Sequence, residues 1–592
     1  MKLNKILLST ALVGTLASCD MNEVYYSQTV PDNFIENEAN VYQILSRPFG
    51  HWRAFVNDHR YNINELMADV FICPARTTND WYNSGDFMAR HYHTMDWQDT
   101  RADTNWKEAL QGIARCLTVM EQLEALDYKK LNMTEEQRAA HMGQMQALMG
   151  FFYWQAMDWY GGVPIYESTS DPLKPRATVQ ETFNKCEELL KAAVEGLPAR
   201  QSLHEEADGY LKKAAAAQLL AQLYFNAKSY IGVEMYDKAA KLCDDIINGV
   251  YGPYELESDW RNVFNFENKT SSEIMWAVPA DYALMKNDWY INNFYPYNVY
   301  KYFGIKTGFT TYAYNGHCLQ PSRDPAGKLY RDGGEKYGHK VGSPYEAFTD
   351  GDLRKQLYNW NDGDYQGMFL IGELRDPKYP DRVADNIKTY RKGESVVIVD
   401  RIAPYSQCRA TNPDGGKDLK YETVDELPST MYYCADEDDG VRLVKFPIPD
   451  EASAKKCYTS YTPLTRLSET YLTLAECKYR NGDSKGACDL INTLRKRYFV
   501  NGNDPNPATP ANLDKYRFLD EWLIEFIGEG RRRIDLIRWD AFHTEKWWDH
   551  EPTNDKKVCR LPVGDSVIGS NNLLKQNPGY GSGEDELTPD EI

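Results

Sequence analysis

Long hydrophobic runs are nearly missing from this 592-residue chain. Past the first twenty residues, none reaches the 18 consecutive apolar residues that would read as a membrane-spanning helix. Histidine is scarce, with ten in all, and the twelve cysteines contain no Cys-x-x-Cys pair. Zinc and dithiol chemistry therefore lack a motif. Neither Gly-x-Ser-x-Gly nor His-Glu-x-x-His occurs, which removes the local signatures of serine hydrolases and zinc proteases. Glycoside hydrolysis needs two carboxylates about 5–10 Å apart. Among 87 acidic residues the sequence singles out no such pair. No enzymatic activity is expected, and no cofactor. An Asp-x-Asp-x-Asp-Gly loop is also missing, so a structural calcium ion is not predictable. Positive charge is in short supply: 67 Lys and Arg face 87 Asp and Glu, for a net charge of −20. Such a body repels nucleic acid and anionic headgroups.

What is present begins with "KILLSTALVGTLASCDMN". Lys2 and Lys5 precede an apolar run from Ile6 to Leu16. That run is about half the roughly 20 residues a spanning helix needs, and with its cationic start it reads as a secretory signal. Leu16-Ala17-Ser18-Cys19 resembles a bacterial lipobox. The resemblance implies a signal peptide over 1–18, cleavage before Cys19 and lipidation of the Cys19 thiol. Two or more acyl chains give stable anchoring. Cleavage removes two of the 67 basic residues and none of the 87 acidic ones, leaving a net charge of −22. Residues 19–34 have no helical period and read as a flexible tether. At ~3.3 Å per residue it would reach about 50 Å when extended. Asp20 and Glu23 resemble the acidic export signals of Bacteroidetes surface lipoproteins.

Helical period dominates about 35–250 and 460–550. "TNWKEALQGIARCLTVMEQLEAL" repeats apolar residues every three to four positions. "EEQRAAHMGQMQALMGFFYWQAMDWY" runs into Gly161-Gly162 with Pro164 beyond, a Gly-then-Pro helix ending. Thr178 and Glu181 form a predicted capping box for the next helix. "GYLKKAAAAQLLAQLYFNAKSY" and "YDKAAKLCDDIINGVYG" together have the length of a tetratricopeptide unit. A similar pair recurs in "SETYLTLAECKYRNG" and "DSKGACDLINTLRKRY". Cys186, Cys243 and Cys477 lie on apolar helix faces and read as small buried hydrophobes. Between about 250 and 460 the period is lost, and Gly, Pro, Asp, Asn and Tyr dominate. "ESVVIVDRIAPY" and "VRLVKFPI" are the candidate strands. A stretch this long is not one free loop. It reads as a large irregular insertion braced by the helices, the usual place for binding.

Some motifs invite a sharper reading than they support. "GEGRRRIDLIRWD" looks basic, but Glu525, Glu529, Asp535 and Asp540 surround its arginines, and Arg531 and Asp535 have helical i, i+4 spacing. Structural bracing is expected. His91 and His93 would share one face of a strand and could suit a metal, but no third ligand stands at a defined spacing, so no metal is expected. Sugar rings present C–H patches that lie on Trp or Tyr, and the chain has 14 Trp and 42 Tyr. "DYALMKNDWYINNFYPYNVYKYF" offers Trp289, Tyr290, Asn292, Asn293, Tyr295 and Tyr297, and "LYNWNDGDY" adds Trp360 and Asn361 in a polar loop. Trp289 and Trp360, flanked by Asn and Asp, are expected to be exposed.

Three segments together resemble one family. "ARTTNDWYNSGDF" resembles its Arg-x-x-x-Asp-Trp segment before a Trp-led helix. "WYGGVPIY" is similar to its Tyr-Gly-x-Val-Pro helix ending. "EWLIEFIGEGRRRIDLIRWD" is similar to its C-terminal Glu-Phe-x-x-Glu-Gly-x-Arg-x-x-Asp-Leu-x-Arg signature. Their order, from Cys19 to about residue 550, resembles the SusD/RagB-type outer-membrane lipoproteins of Bacteroidetes. The resemblance implies a mainly α SusD-like fold: a tetratricopeptide-like helix-pair scaffold, a large irregular loop-rich half and a few short strands, with 35–592 as one body. It implies a non-catalytic surface lipoprotein, lipid-anchored in the outer membrane and facing the exterior. Such a protein binds a glycan and hands it to a SusC-like TonB-dependent transporter. It places Arg76, Asp80, Trp81 and Tyr82 in a segment that contributes to sugar sites. A peptide-binding member of the same family, a surface glycosidase and a ligand-free scaffold that seals the transporter stay open as alternatives.

Overall fold

The computed structural model describes residues 35–588 except 77–80, 82–85, 288, 306–312, 325, 335–336, 362–363, 388–391, 403–433, 449–457 and 582–584. Cys19, the signal segment and the 19–34 tether lie outside the described residues. The chain is mainly helical. The helices used below are α1 Glu38–Ala54, α2 Thr100–Ala125, α3 Glu135–Tyr160, α4 Val179–Gly196, α5 Lys213–Phe225, α6 Tyr236–Ile247, α7 Trp289–Phe294, α8 Leu467–Arg480, α9 Ser484–Arg495, α10 Lys515–Phe526 and α11 Arg532–Arg538.

Local chemistry sets the helix starts. The Thr178 side chain accepts from the Glu181 N–H at 3.1 Å while the Glu181 carboxylate accepts from the Thr178 N–H at 2.8 Å, the expected capping box. Thr134 and Gln137 make the same exchange at the start of α3. From Ala147 to Tyr160 every residue of α3 is buried. Such a helix has no polar face and belongs inside. It is packed between α2 and α4.

The two helix pairs seen in the sequence are one structure. α5 packs on α6, α8 on α9, and α6 on α8, so pairs more than 200 residues apart stack directly. Small residues make this possible: Ala214 to Ala217 and Ala221 are fully buried. Ala221, Cys243 and Leu474 meet in one apolar cluster. Cys186, Cys243 and Cys477 are buried free thiols, as expected.

The irregular region starts and ends on a clasp. Strand Ile274–Val278 pairs antiparallel with Thr462–Arg466, from Val278 opposite Thr462 to Ile274 opposite Arg466. The second strand runs straight into α8, so both ends of the insertion are fixed to the frame. Between them lies much of a second core rich in rings, including Phe294, Tyr302, Phe303, Tyr358 and Phe369. Strand content is small: among the described residues there are six two-stranded sheets. The two candidate strands shrink to Val397–Ile398 and Arg442–Leu443.

Buried ion pairs join the two cores. Arg466 reaches Glu525 at 2.7 Å, Glu529 at 2.9 Å and Glu273 at 3.1 Å. Arg497 adds a 2.9 Å bond to Glu525. From the insertion, Arg354 contacts Glu525 at 3.3 Å and Lys445 contacts Glu529 at 2.9 Å. Burial alone would raise the Glu525 carboxyl. Arg466, Arg497 and Arg354 outweigh it and hold Glu525 well below the usual carboxylate range. The "GRRRIDLIR" arginines brace as expected. Arg531 pairs with Asp535 at 2.9 Å, Arg532 with Asp69 at 2.7 Å, Arg533 with Asp158 at 2.7 Å and Arg538 with Glu476 at 2.9 Å. At the same corner Gly530 and Arg531 donate their N–H groups to Glu65, whose carboxyl burial pushes up to about 7.

Candidate functional site

α7 is short, and its last carbonyls need partners from outside the helix. The 314–317 segment supplies them. The Tyr314 N–H donates to the Asn292 carbonyl at 2.6 Å, and Gly316 and His317 donate to the Asn293 carbonyl at 3.1 and 2.7 Å. Asn293 also donates its side-chain amide to the Trp289 carbonyl at 2.9 Å. This lacing fixes Trp289 beside Tyr314 and His317.

Rings then converge on His317. Trp289 lies with its centroid 5.8 Å away, Trp81 6.2 Å and Phe87 6.0 Å, and Tyr61 stacks nearly parallel at 5.8 Å. Tyr61 meets Trp289 edge-on at 4.3 Å. Trp81 donates its indole N–H to the Tyr314 carbonyl at 2.9 Å. Its backbone has φ +66°, a left-handed conformation rare for a bulky residue. Such strain is held in place only by its surroundings and clusters at functional positions. Its ring lies against Gly316, where a Cβ would come within 2.7 Å of ring carbon. Burial, with Arg90 and Arg76 adding to it, pushes the His317 imidazole down to about 3. The ring is neutral at ordinary pH, so the cluster is an uncharged aromatic surface. Tyr314 is 39% exposed, and Trp81 and Trp289 are half-buried.

The structure thus brings Trp81, Trp289, Asn292 and Asn293 together and sends other expected residues elsewhere. Arg76 is buried. It donates to the carbonyls of Asn315 at 2.8 Å, Gly316 at 3.1 Å, Asp436 at 2.7 Å and Asp439 at 3.2 Å. It is a strut under the aromatic cluster. Tyr295 is a core residue, 1% exposed. Trp360, expected to be exposed, is buried. Its "polar loop" is a hairpin, Asn359–Asn361 against Asp364–Gln366, which faces Trp360 inward toward Phe266. Asp80 and Tyr82 lie outside the described residues, and so do the side chains of Tyr290 and Asn361. Tyr297 is half-buried. Tyr61, Tyr314 and His317 were not singled out from sequence, although "YAYNGH" has the same mix of rings and amides as the 289–297 stretch.

His91 and His93 sit at a helix end and turn, not in a strand. His91 bonds Asp549 at 2.6 Å and His93 the Met67 carbonyl at 2.8 Å. Among the described residues no group of three His, Cys, Asp or Glu could hold a metal ion. No helix among them is long and apolar enough to cross a membrane.

Comparison with known proteins places this architecture. The model of the family described as "Starch-binding associating with outer membrane" matches residues 36–225. The model of the SusD family matches residues 272–580. The starch-binding protein SusD of Bacteroides thetaiotaomicron is 26% identical over 546 residues, spanning 88% of this chain and 85% of that protein. The SusD-like protein P25 of Formosa agariphila is 21% identical over 91% of this chain and 90% of its own length. Among solved structures, NanU of B. fragilis superposes with a TM-score of 0.63 at 17% identity, covering 94% of this chain and all of that one. Surface glycan-binding protein A of B. thetaiotaomicron, in complex with laminarihexaose, gives 0.59 at 17%, covering 91% and 99%. The SusD family model alone covers more than half of the chain, and the chain belongs to the SusD family.

Proposed function

We propose that the protein is a non-catalytic, lipid-anchored glycan-binding protein of the outer membrane that passes its ligand to a SusC-like TonB-dependent transporter. The observation that carries this reading is the neutral ring cluster of Trp81, Trp289 and Tyr314, half open to solvent and held on α7 and the 314–317 segment. Pyranose C–H faces stack on such rings, and a charge-free surface costs little to desolvate. Asn292 stands beside it for sugar hydroxyls. The starch- and glycan-binding relatives support the same ligand class. The lipobox supports the acyl anchor at Cys19, and the family's association with the outer membrane supports the placement there.

Calorimetry on a polysaccharide panel tests the ligand class. Trp289→Ala should weaken the best binder by about 1–3 kcal/mol, the range for losing one stacking ring. Peptide binding with no response to any polysaccharide would overturn the glycan reading. Radiolabelled palmitate incorporation, lost in Cys19→Ala, tests the anchor, and protease shaving of intact cells tests the orientation.

A further inference from the structure

A groove among the described residues lies far along the chain from the aromatic cluster and shares no lining residue with it. It encloses about 710 Å³ between the Ala227–Ile231 helix, the end of α11, and residues 555–560 and 577–579. That volume is in the range of pockets that hold small molecules. In a chain of net charge −20, six of its lining residues are basic and two are acidic, Asp540 and Asp555. Most of the bases already have partners. Arg480 and Arg538 share the buried Glu476, and Lys228 pairs with Glu234 at 2.6 Å. Lys556 and Lys557 make long ion pairs of 3.8 Å to the exposed carboxylates of Asp540 and Asp555, and Lys557 also donates to the Gly579 carbonyl at 3.2 Å. Such pairs hold little and are easily exchanged.

Arg560 differs from all of these. Its guanidinium lines the groove and has no hydrogen bond or ion pair among the described residues. It lies over Gly161, φ +81°, where a Cβ would come within 2.7 Å of Nη1. Behind it stands a second guanidinium without a carboxylate. Arg176 donates to the carbonyls of Gly162 at 2.7 Å and Lys575 at 3.0 Å and to the Asn577 amide oxygen at 2.8 Å. The two repel: burial and then Arg560 push Arg176 down to about 9. Trp539, another lining residue, has a buried indole N–H without an acceptor. The groove therefore holds unused donors and a guanidinium whose carboxylate neighbour, Asp158, is already paired with Arg533. A buried cation without its counter-charge is costly, and an anion supplied from outside relieves it.

We propose that this groove binds a small oxyanion-bearing molecule, with Arg560 making the charge-assisted contact and Lys556 and Lys557 closing on it from the rim. The shared chemistry is a carboxylate, sulfate or phosphate group. The volume favours a group carried on a body of mono- to disaccharide size, such as an acidic sugar, over a bare inorganic ion. This site is independent of the glycan reading, and glycan binding at the ring cluster neither requires nor excludes it.

Calorimetric titration of the full chain at fixed ionic strength tests it, with glucuronate, inorganic sulfate, inorganic phosphate and neutral glucose as probes. Glucuronate should bind and glucose should not. Arg560→Gln should weaken binding by about tenfold or more, the loss of one charge-assisted bond. Arg560→Lys should recover part of it, and Trp289→Ala should leave it unchanged. Binding of phosphate or sulfate with no gain from glucuronate supports the same site with a free ion as its source. If Arg560→Gln fails to fold, Lys556→Gln with Lys557→Gln, on exposed side chains, should lower affinity at an unchanged unfolding temperature of the free protein. No response to any oxyanion, or a response untouched by these variants, overturns the proposal.

Discussion

The helical frame and the inserted region reach the same compactness by different means. In the frame, helices stack through small and aliphatic residues, and their ends are tied by buried ion pairs such as Arg531 with Asp535 and Arg538 with Glu476. In the insertion, regular structure among the described residues is limited to short strands, short helices such as α7, and turns, and rings fill the core. A stacked helix pair fixes its neighbours through every turn, so few positions in it can change freely. A ring-filled irregular region has more tolerance in its backbone path. That is where a binding surface can be reshaped while the frame stays put. The seam between the two is ionic, and it is the first place to break the comparison.

Arg466→Ala should have the largest effect. It withdraws one guanidinium from Glu273, Glu525 and Glu529 together and leaves buried carboxylates short of a counter-charge. Breaking a buried pair from one side costs about 3–5 kcal/mol. Urea unfolding followed by tryptophan fluorescence should show the midpoint falling accordingly. An unchanged midpoint would mean that the apolar cores alone join the two regions.

Trp360 and Trp289 separate packing from binding inside the insertion. Trp360→Ala opens a cavity in the ring core and should cost about 3 kcal/mol of stability. The glycan affinity of the folded protein should stay as it was. Trp289→Ala should do the reverse, with a modest stability change and the affinity loss given above. Equal affinity losses in both would place the sugar somewhere other than the His317 cluster.

Acid and base act on the seam in opposite directions. Glu525 is held low, so its contribution is present at neutral pH and is lost as pH falls through its folded value. Glu65 is held high, at about 7 against an ordinary 4.5. Its contribution is full below the ordinary value and disappears as pH rises toward 7. Glu65→Gln keeps an acceptor for the Gly530 and Arg531 N–H groups but does not titrate. It should flatten the decline in stability between about pH 4.5 and 7 by about 1–3 kcal/mol, leaving the acid limb intact. Unfolding midpoints across that range would read it. An unaltered slope would assign the decline to other groups.

The frame was legible because its signals are local. The capping box at Thr178, the Gly161 stop and the alanine run of α5 each dictate a conformation from a few neighbouring residues. The stacking of α6 on α8 was not legible, because it joins segments more than 200 residues apart. The candidate site was half legible. Trp81 and Trp289 stood out as rings among polar residues, but the same cue misplaced Trp360. A two-strand hairpin turns that ring inward, and its partner Tyr365 reads no differently from an exposed tyrosine. Arg76 failed for a related reason: the carbonyls it bonds, at Asn315, Gly316, Asp436 and Asp439, are backbone groups that any sequence would offer. His317 and Tyr314 are held at the candidate site by bonds between backbone groups, to the carbonyls of α7, which leave no trace in side-chain pattern.

The smallest expected effect is the most specific one. Gly316 has an ordinary backbone angle, so an alanine there is strained only by what its methyl meets, and that is the Trp81 ring at 2.7 Å. Gly316→Ala should tilt Trp81 off the loop, weaken its bond to the Tyr314 carbonyl, and lower glycan affinity by about 1 kcal/mol, roughly fivefold. The fold should be untouched, since Trp81 is half-buried and lies at the edge of the cluster. Because the methyl acts through one ring, the effect should vanish in a Trp81→Ala background, where the space is open. A double-mutant cycle read by calorimetry measures this coupling. Additive losses would mean that Gly316 faces the ligand itself, and that Trp81 serves the frame of the site instead of its surface.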